Sequence, residues 1–464
     1  MAGAVARLTV GHLLEYNSVL YKIGGRNVKK RRRQGLAVLL AAVLFLCSGC
    51  SLDVEQFLRP PKTQGEQQAV QAALETYIRD SGQAGNRYTL CYPVEGEHTS
   101  AFVLCNTHGE PIDGAGEDAA LALAFYAMSS SSNDTHINLL RREGREWISV
   151  ADVVGASADI LQVAFGDLDG DGTAELLTGW DTYNSRDHRL TVFSLVESLT
   201  VLSNDRVYNR LFVGKLTDDG RDSLVLLRMA GDEVTASLES VQNSALITRG
   251  QVMLDSGIQQ FDKMTLCRLS DSVNGLFIDA VKGVDTVVTE LIYYDNGELN
   301  APFCNQAGRV NTVTARPAGF AMRDVDGDAM VEIPRCVLLP GHVVGDSAAD
   351  YAYRTDWSVW DVATGEWQVK MLSIVNATDG YLVALDEQQK DTVTTTYDAT
   401  ERLLTVWDIA RERPLLKLRA TANKQWDEYT TLFEATDTYD GCDVWFDEEA
   451  LNMDTVRYMV SKLS

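Results

Sequence analysis

Proline and histidine are scarce in this chain, at nine and six of 464 residues, and aromatics make up only 8%. Apart from "CSGC" at positions 47 to 50, the eight cysteines form no CxxC pair, and only Cys105 stands within a few residues of a histidine (His108), with no second pair to complete a site. A structural zinc site therefore has no basis in the sequence. GxSxG, HExxH, GxxxxGK[ST] and GxGxxG are all missing, so no local motif announces a serine hydrolase, a zinc protease or a nucleotide-binding loop. Basic residues are also short, with 41 Lys and Arg facing 66 Asp and Glu for a formal charge of -25. The first 49 residues hold eight of those basic groups and one acid, so the remainder carries -32. Such a surface repels nucleic acid and anionic lipid and tolerates cations.

What the first 49 residues do contain is a basic run, "KKRRR" (Lys29 to Arg33), followed by the uncharged "QGLAVLLAAVLFLCSGC". A basic segment, a short apolar core and small residues at the end make an export signal. The apolar run from Leu36 to Leu46 is too short to span a bilayer comfortably, which favours cleavage over a permanent anchor. "CSGC" resembles the lipobox of bacterial lipoproteins, with Ser48 and Gly49 in the small positions and Cys47 where leucine is usual. The resemblance implies that Cys50 is lipidated and becomes the new N-terminus on the extracytoplasmic face of the cell membrane. Residues 50 to 65 then read as a tether.

Val70, Ala73, Leu74 and Tyr77 share one face at helical spacing, so 66 to 84 is expected to hold a helix docked on the main domain. From 85 to 440 the vocabulary changes to short apolar runs rich in Val, Leu, Thr and Tyr, broken by Asp, Gly and Asn, which is that of strands and turns. Two apolar arms around a polar turn recur from His136, His188, Val234, Asp285, Trp357 and Leu403. A period of about 50 residues with one longer gap suits a four-stranded propeller blade. Residues 441 to 464 are expected to form a C-terminal helix burying Leu451, Val456, Met459 and Val460.

A second element precedes several of these hairpins. "FGDLDGDGTAEL" (165), "VGKLTDDGRDSL" (213) and "AMRDVDGDAMVEI" (321) align over their aspartates, and "FVLCNTHGEPIDGAGEDAALAL" (102) reads as an expanded copy. Alternate carboxylates in a tight loop can aim several hard oxygens at one calcium ion. In the first loop, positions 1, 3 and 5 are Asp167, Asp169 and Asp171, position 7 offers the Thr173 carbonyl and position 9 is Glu175. The other match supplies Asp324, Asp326, Asp328, the Met330 carbonyl and Glu332. An EF-hand would need glutamate at position 12 and a following helix; Thr178 and Arg335 stand there, ahead of strand-like sequence. The loop from Lys215 puts lysine and Thr217 at ligand positions and is expected to hold no metal.

These loops resemble the FG-GAP repeats of integrin alpha-chain propellers and bacterial surface proteins, also called VCBS-type repeats. The resemblance implies an all-β propeller of six or seven blades with short helices at both ends, and one or two structural calcium ions held by the two acidic loops. Other candidates are weaker. The five histidines beyond residue 49 (His98, His108, His136, His188 and His342) fall in separate units. Ser347 in "GDSAAD" follows a Gly-Asp pair without the strand-to-helix turn that a nucleophile needs. Trp357, Trp360 and Trp367 offer stacking surfaces for sugars, although strand packing explains them more simply. Cys91 and Cys105 stand on adjacent strands, where either free thiols or a disulfide would fit. The expectation is a lipid-anchored binding or scaffold module whose partner is an envelope protein or glycan. The alternative is a secreted propeller hydrolase or lyase acting on an envelope polysaccharide.

Overall fold

The computed structural model describes residues 65–83, 87–113, 118–129, 135–183, 185–328, 330–343, 350–421, 429–434 and 441–463. The leader, Cys50, the tether and Ser347 lie outside them. Within the described residues, 28 strands form six antiparallel sheets, and no helix is long and apolar enough to cross a membrane.

The sheets follow one another along the chain. The second is the simplest, a meander of Ile160–Gly166, Glu175–Trp180, His188–Ser194 and Thr200–Tyr208. The third repeats it with Arg210–Gly214, Ser223–Ala230, Glu233–Gln242 and Ala245–Met253. All six hairpins expected from the sequence occur, with His136 opening one in the first sheet and Leu403 one in the sixth. Middle strands such as "SLVLL" are apolar without alternation because both of their faces are covered. Leu224 and Leu226 pack toward the second sheet, while Val225 and Leu227 pack toward the fourth. The same division recurs in the fourth sheet, where Leu276 and Ile278 face the third and Phe277 faces the fifth. Apolar clusters join first to second, second to third, and so on to the sixth. The stack is held by burial at successive sheet faces rather than by one central core.

Helix α1 (Glu66–Ile78) docks on the first sheet through Val70, Leu74 and Ile78, with Ala73 and Tyr77 at the margin of the contact. Its first residue, Glu66, accepts from Trp147 Nε1 at 2.9 Å and pairs with Arg142 at 3.1 Å. The C-terminal segment differs from expectation. Gly441–Phe446 is a strand of the sixth sheet, and only Met453–Met459 is helical (α2), capped by Asn452, whose side chain accepts from the Thr455 N–H. Val460–Lys462 then pairs with Tyr381–Val383 at the edge of the fifth sheet. The β-favouring "DVWF" pairs with the Arg413–Thr421 strand, so the helix starts only after the acidic turn at Asp447. Val456, Met459 and Val460 are buried as expected, with Leu451 packed against their cluster.

All six described cysteines are free. Cys91 bonds to Phe125 and Cys105 pairs with Leu121, on the same edge of Leu121–Met128. Four residues along a strand separate the two thiols by about 13 Å, well beyond disulfide reach.

The fourth sheet buries a polar network that the sequence does not advertise. Asp255 and Glu290 are both fully buried. Asp255 pairs with Lys282 at 2.6 Å and accepts from the Asn311 N–H, while its own N–H donates to Glu290 Oε1 at 3.0 Å. Glu290 Oε2 has no hydrogen-bond partner, and burial pushes this carboxyl up to about 7. The folded chain therefore holds a proton that the unfolded chain releases near pH 4.5, so this group's stabilising contribution is lost as pH rises through 7. Glu290→Gln keeps the acceptor for Asp255 and removes the charge. Urea melts should show the variant more stable at pH 8, by roughly 2–3 kcal/mol, and unchanged at pH 4.

Candidate metal centre

Both acidic loops fold the same way at the level of single hydrogen bonds. At position 1, Asp167 and Asp324 accept through Oδ1 from the N–H at position 4, Gly170 at 2.7 Å and Gly327 at 2.6 Å. Those glycines share φ of 80°, a left-handed turn that favours glycine. At position 3, Asp169 and Asp326 accept from the N–H of Asp171 and Asp328, at 2.9 and 3.2 Å. At position 5, Asp171 and Asp328 accept from the N–H of Thr173 and Met330, at 2.7 and 2.8 Å. At position 9, Glu175 and Glu332 reach back to the N–H of Leu168 and Val325, at 2.8 and 2.9 Å. The backbone thus holds every carboxylate by at least one oxygen, and Asp167 by both, since its Oδ2 accepts from the Gly172 N–H at 3.1 Å.

The result is two clusters in which carboxylate oxygens of positions 1, 3 and 9 lie within 4.8 Å of one another: Asp167, Asp169 and Glu175, and Asp324, Asp326 and Glu332. Asp171 and Asp328 stand outside these sets. Asp328 instead pairs with Lys370 Nζ at 2.9 Å. Each glutamate opens the strand-like run after its loop and is turned inward, Glu175 being 1% and Glu332 0% exposed. Burial pushes the Glu175 carboxyl up to about 8, with further upward pressure from Asp169, Asp171 and Asp167. Glu332 is raised for the same reasons, by burial first and then by its three aspartates. Its Oε1 is buried with no hydrogen-bond partner. A buried carboxylate oxygen with no donor, beside two more carboxylates, is an arrangement that a hard cation completes. The residues present therefore fit a bound metal ion.

The surroundings of the three loops differ. The first is clamped on both sides: Asp167 N–H donates to Asp222 Oδ2 at 2.9 Å, Asp222 N–H returns to the Asp167 carbonyl, and Ala174 N–H donates to the His108 carbonyl. In the third loop, Lys215 Nζ donates to the Gly220 carbonyl at 3.0 Å and Arg249 pairs with Asp219 at 2.7 Å, so side-chain cations sit where the other loops gather acids. The second loop borders an open cleft of about 560 Å³ lined by Val325, Asp326, Lys370, Leu385, Glu387 and Tyr458 among others.

The other sequence candidates separate from this centre. Trp357 is buried and donates to Ser373 Oγ at 2.8 Å, and Trp360 and Trp367 pack on Phe303, so all three are strand-packing residues. His108 Nδ1 lies 3.1 Å from the Gly172 carbonyl of the first loop, and the other histidines lie apart, His136 on Asp152 and His342 on Thr395. Lys370 and Asp222 were not legible as site residues, because each reaches its loop from a different part of the chain.

No protein-family model matches the chain, and no curated protein matches it. Among solved structures it is similar to the exotype rhamnogalacturonan lyase YesX, at 14% identity and TM-score 0.28 over 75% of this chain and 76% of that one. A rhamnogalacturonan lyase from Bacillus licheniformis gives 13% and 0.28 over 69% and 65%. The CNH domain of AfRom2 gives 12% and 0.25 over 77% and 98%. At these TM-scores the likeness carries no argument about ligand or reaction.

Proposed function

We propose that this chain is a lipid-anchored, extracytoplasmic binding or scaffold module in which the six sheets are blades of a propeller stapled by calcium. The observation that carries the reading is the repetition, in two distant loops, of the three hydrogen bonds that turn two aspartates and a buried glutamate toward one another. The sheet order supports it, since successive antiparallel sheets of four or five strands packed face to face are how a propeller is assembled. Calcium supplies a hard divalent charge that can neutralise each acid cluster, with Asp167, Asp169 and Glu175 holding one ion and Asp324, Asp326 and Glu332 the other. Carbonyls of Thr173 and Met330, and the carboxylates of Asp171 and Asp328, are the nearest additional donors in sequence. Export suits this design, because calcium is far more abundant outside a cell than inside it. The lipobox-like "CSGC" would tether the module through Cys50 and leave its acidic surface facing an envelope protein or glycan.

Fractionation of the producing cell tests the anchoring half of the proposal. The native chain should sediment with membranes and need detergent for release, and Cys50→Ser should leave it soluble. A Cys50→Ser chain that still sediments with membranes would overturn the lipid anchor.

A further inference from the structure

The three aspartate loops form a graded series in the position of nearby side-chain cations. In the first, Arg221 packs over Gly170 and Lys215 pairs with the clamping Asp222, yet no Lys or Arg ion pair to the loop carboxylates themselves is among the described contacts; in the third, lysine stands in place of the first aspartate and donates to the loop's own Gly220 carbonyl. The second is intermediate. Its loop keeps all four acids, yet Lys370, from the strand Glu366–Asn376, places an ammonium 2.9 Å from Asp328 Oδ2. Asp328 holds two partners at once, accepting from the Met330 N–H with one oxygen and from the Lys370 ammonium with the other.

We propose that Lys370 is a built-in competitor for the metal, which makes the second loop a weaker and more readily exchanged cation site than the first. This rests on the reading of both loops as calcium sites. Two features carry it beyond the acid cluster itself. Glu332 Oε1 is buried and without a donor, so Lys370 does not complete the site in place of an ion. Lys370 also lines the open cleft beside Asp326, which gives its flexible stem somewhere to go when a divalent ion enters. Calcium and the ammonium thus compete for one patch of negative charge, and by reciprocity whatever draws Lys370 into the cleft tightens calcium in the loop. An anionic group in the cleft, such as a carboxylate or sulfate, would do so.

Calcium isotherms of the full chain by equilibrium dialysis at low salt test this directly. The native chain should show two unequal sites. Lys370→Met should tighten the weaker one by about tenfold and leave the stronger one unchanged, whereas Lys370→Arg should keep it weak. Glu332→Gln should delete the weaker site alone, and 0.5 M salt should shrink the Lys370→Met effect. Two sites that ignore Lys370→Met, or a weaker site abolished by Glu175→Gln rather than Glu332→Gln, would overturn the competitor while leaving the calcium reading intact. No bound calcium in either the native chain or Lys370→Met would overturn both.

Discussion

Stripping calcium from the chain with a chelator is expected to lower its melting temperature by about 5–10 °C. Ligand that binds only the folded state stabilises it by about 4 kcal/mol at a thousandfold excess over Kd, and two such sites act together. A second contribution has the opposite origin. Without the ion, Glu175 and Glu332 remain buried beside other carboxylates, and the price is visible in the upward pull on both glutamates and in the orphaned Glu332 Oε1. This predicts an inversion of sign in one substitution. Glu332→Gln should raise the melting temperature of the chelated chain, because it removes a buried charge, and lower that of the calcium-loaded chain, because it removes a ligand. Scanning calorimetry in calcium and in chelator gives both values. A glutamine variant that shifts both the same way would sink the metal account of this loop.

Trp180→Ala is expected to destabilise the chain by about 3–5 kcal/mol. Trp180 is fully buried and stands in the cluster that joins the first sheet to the second. Its Nε1 donates to Thr191 Oγ1 at 3.0 Å, and its ring lies so close to Gly155 that a Cβ there would sit 2.0 Å from the ring. Truncation therefore opens a void between two sheets, leaves a buried hydroxyl without its donor, and cannot be repaired by the glycine opposite. The loss should appear in urea melts with calcium present and absent alike, because Trp180, at the far end of the strand that Glu175 opens, packs on the first sheet rather than on the loop carboxylates. Gly155→Ala should also destabilise, by steric conflict rather than by a cavity. A neutral Trp180→Ala would mean that the sheets are not held by this contact.

The hairpins and the acidic loops were legible because their signals are local. A polar turn between two apolar arms specifies its own pairing, and a loop at Asp167 or Asp324 writes its hydrogen-bond donors and acceptors within nine residues. Where the signal is not local, the sequence was silent or misleading. "DVWF" pairs with a strand some 25 residues earlier, and no periodicity marks it against the helix that follows, so Gly441–Phe446 was absorbed into an expected helix. The Cys91 and Cys105 strands do border a common neighbour, but only the register on Leu121–Met128 shows that the thiols are separated along it. Lys370 reads as an ordinary exposed-face lysine of "WQVKM" until the fold carries it to Asp328, and Asp222 belongs to a loop whose own metal positions are lost. Asp171 and Asp328 illustrate the reverse case. Their spacing makes them equal candidates with their neighbours, and the backbone turn then leaves them outside the tight set.

The most direct measurement is the number of calcium ions bound per chain, read by atomic emission after dialysis against a defined low calcium concentration. The account predicts two for the native chain, one for Asp167→Ala with Asp169→Ala, one for Asp324→Ala with Asp326→Ala, and none when all four are replaced. A native chain that retains no calcium while remaining folded would contradict it.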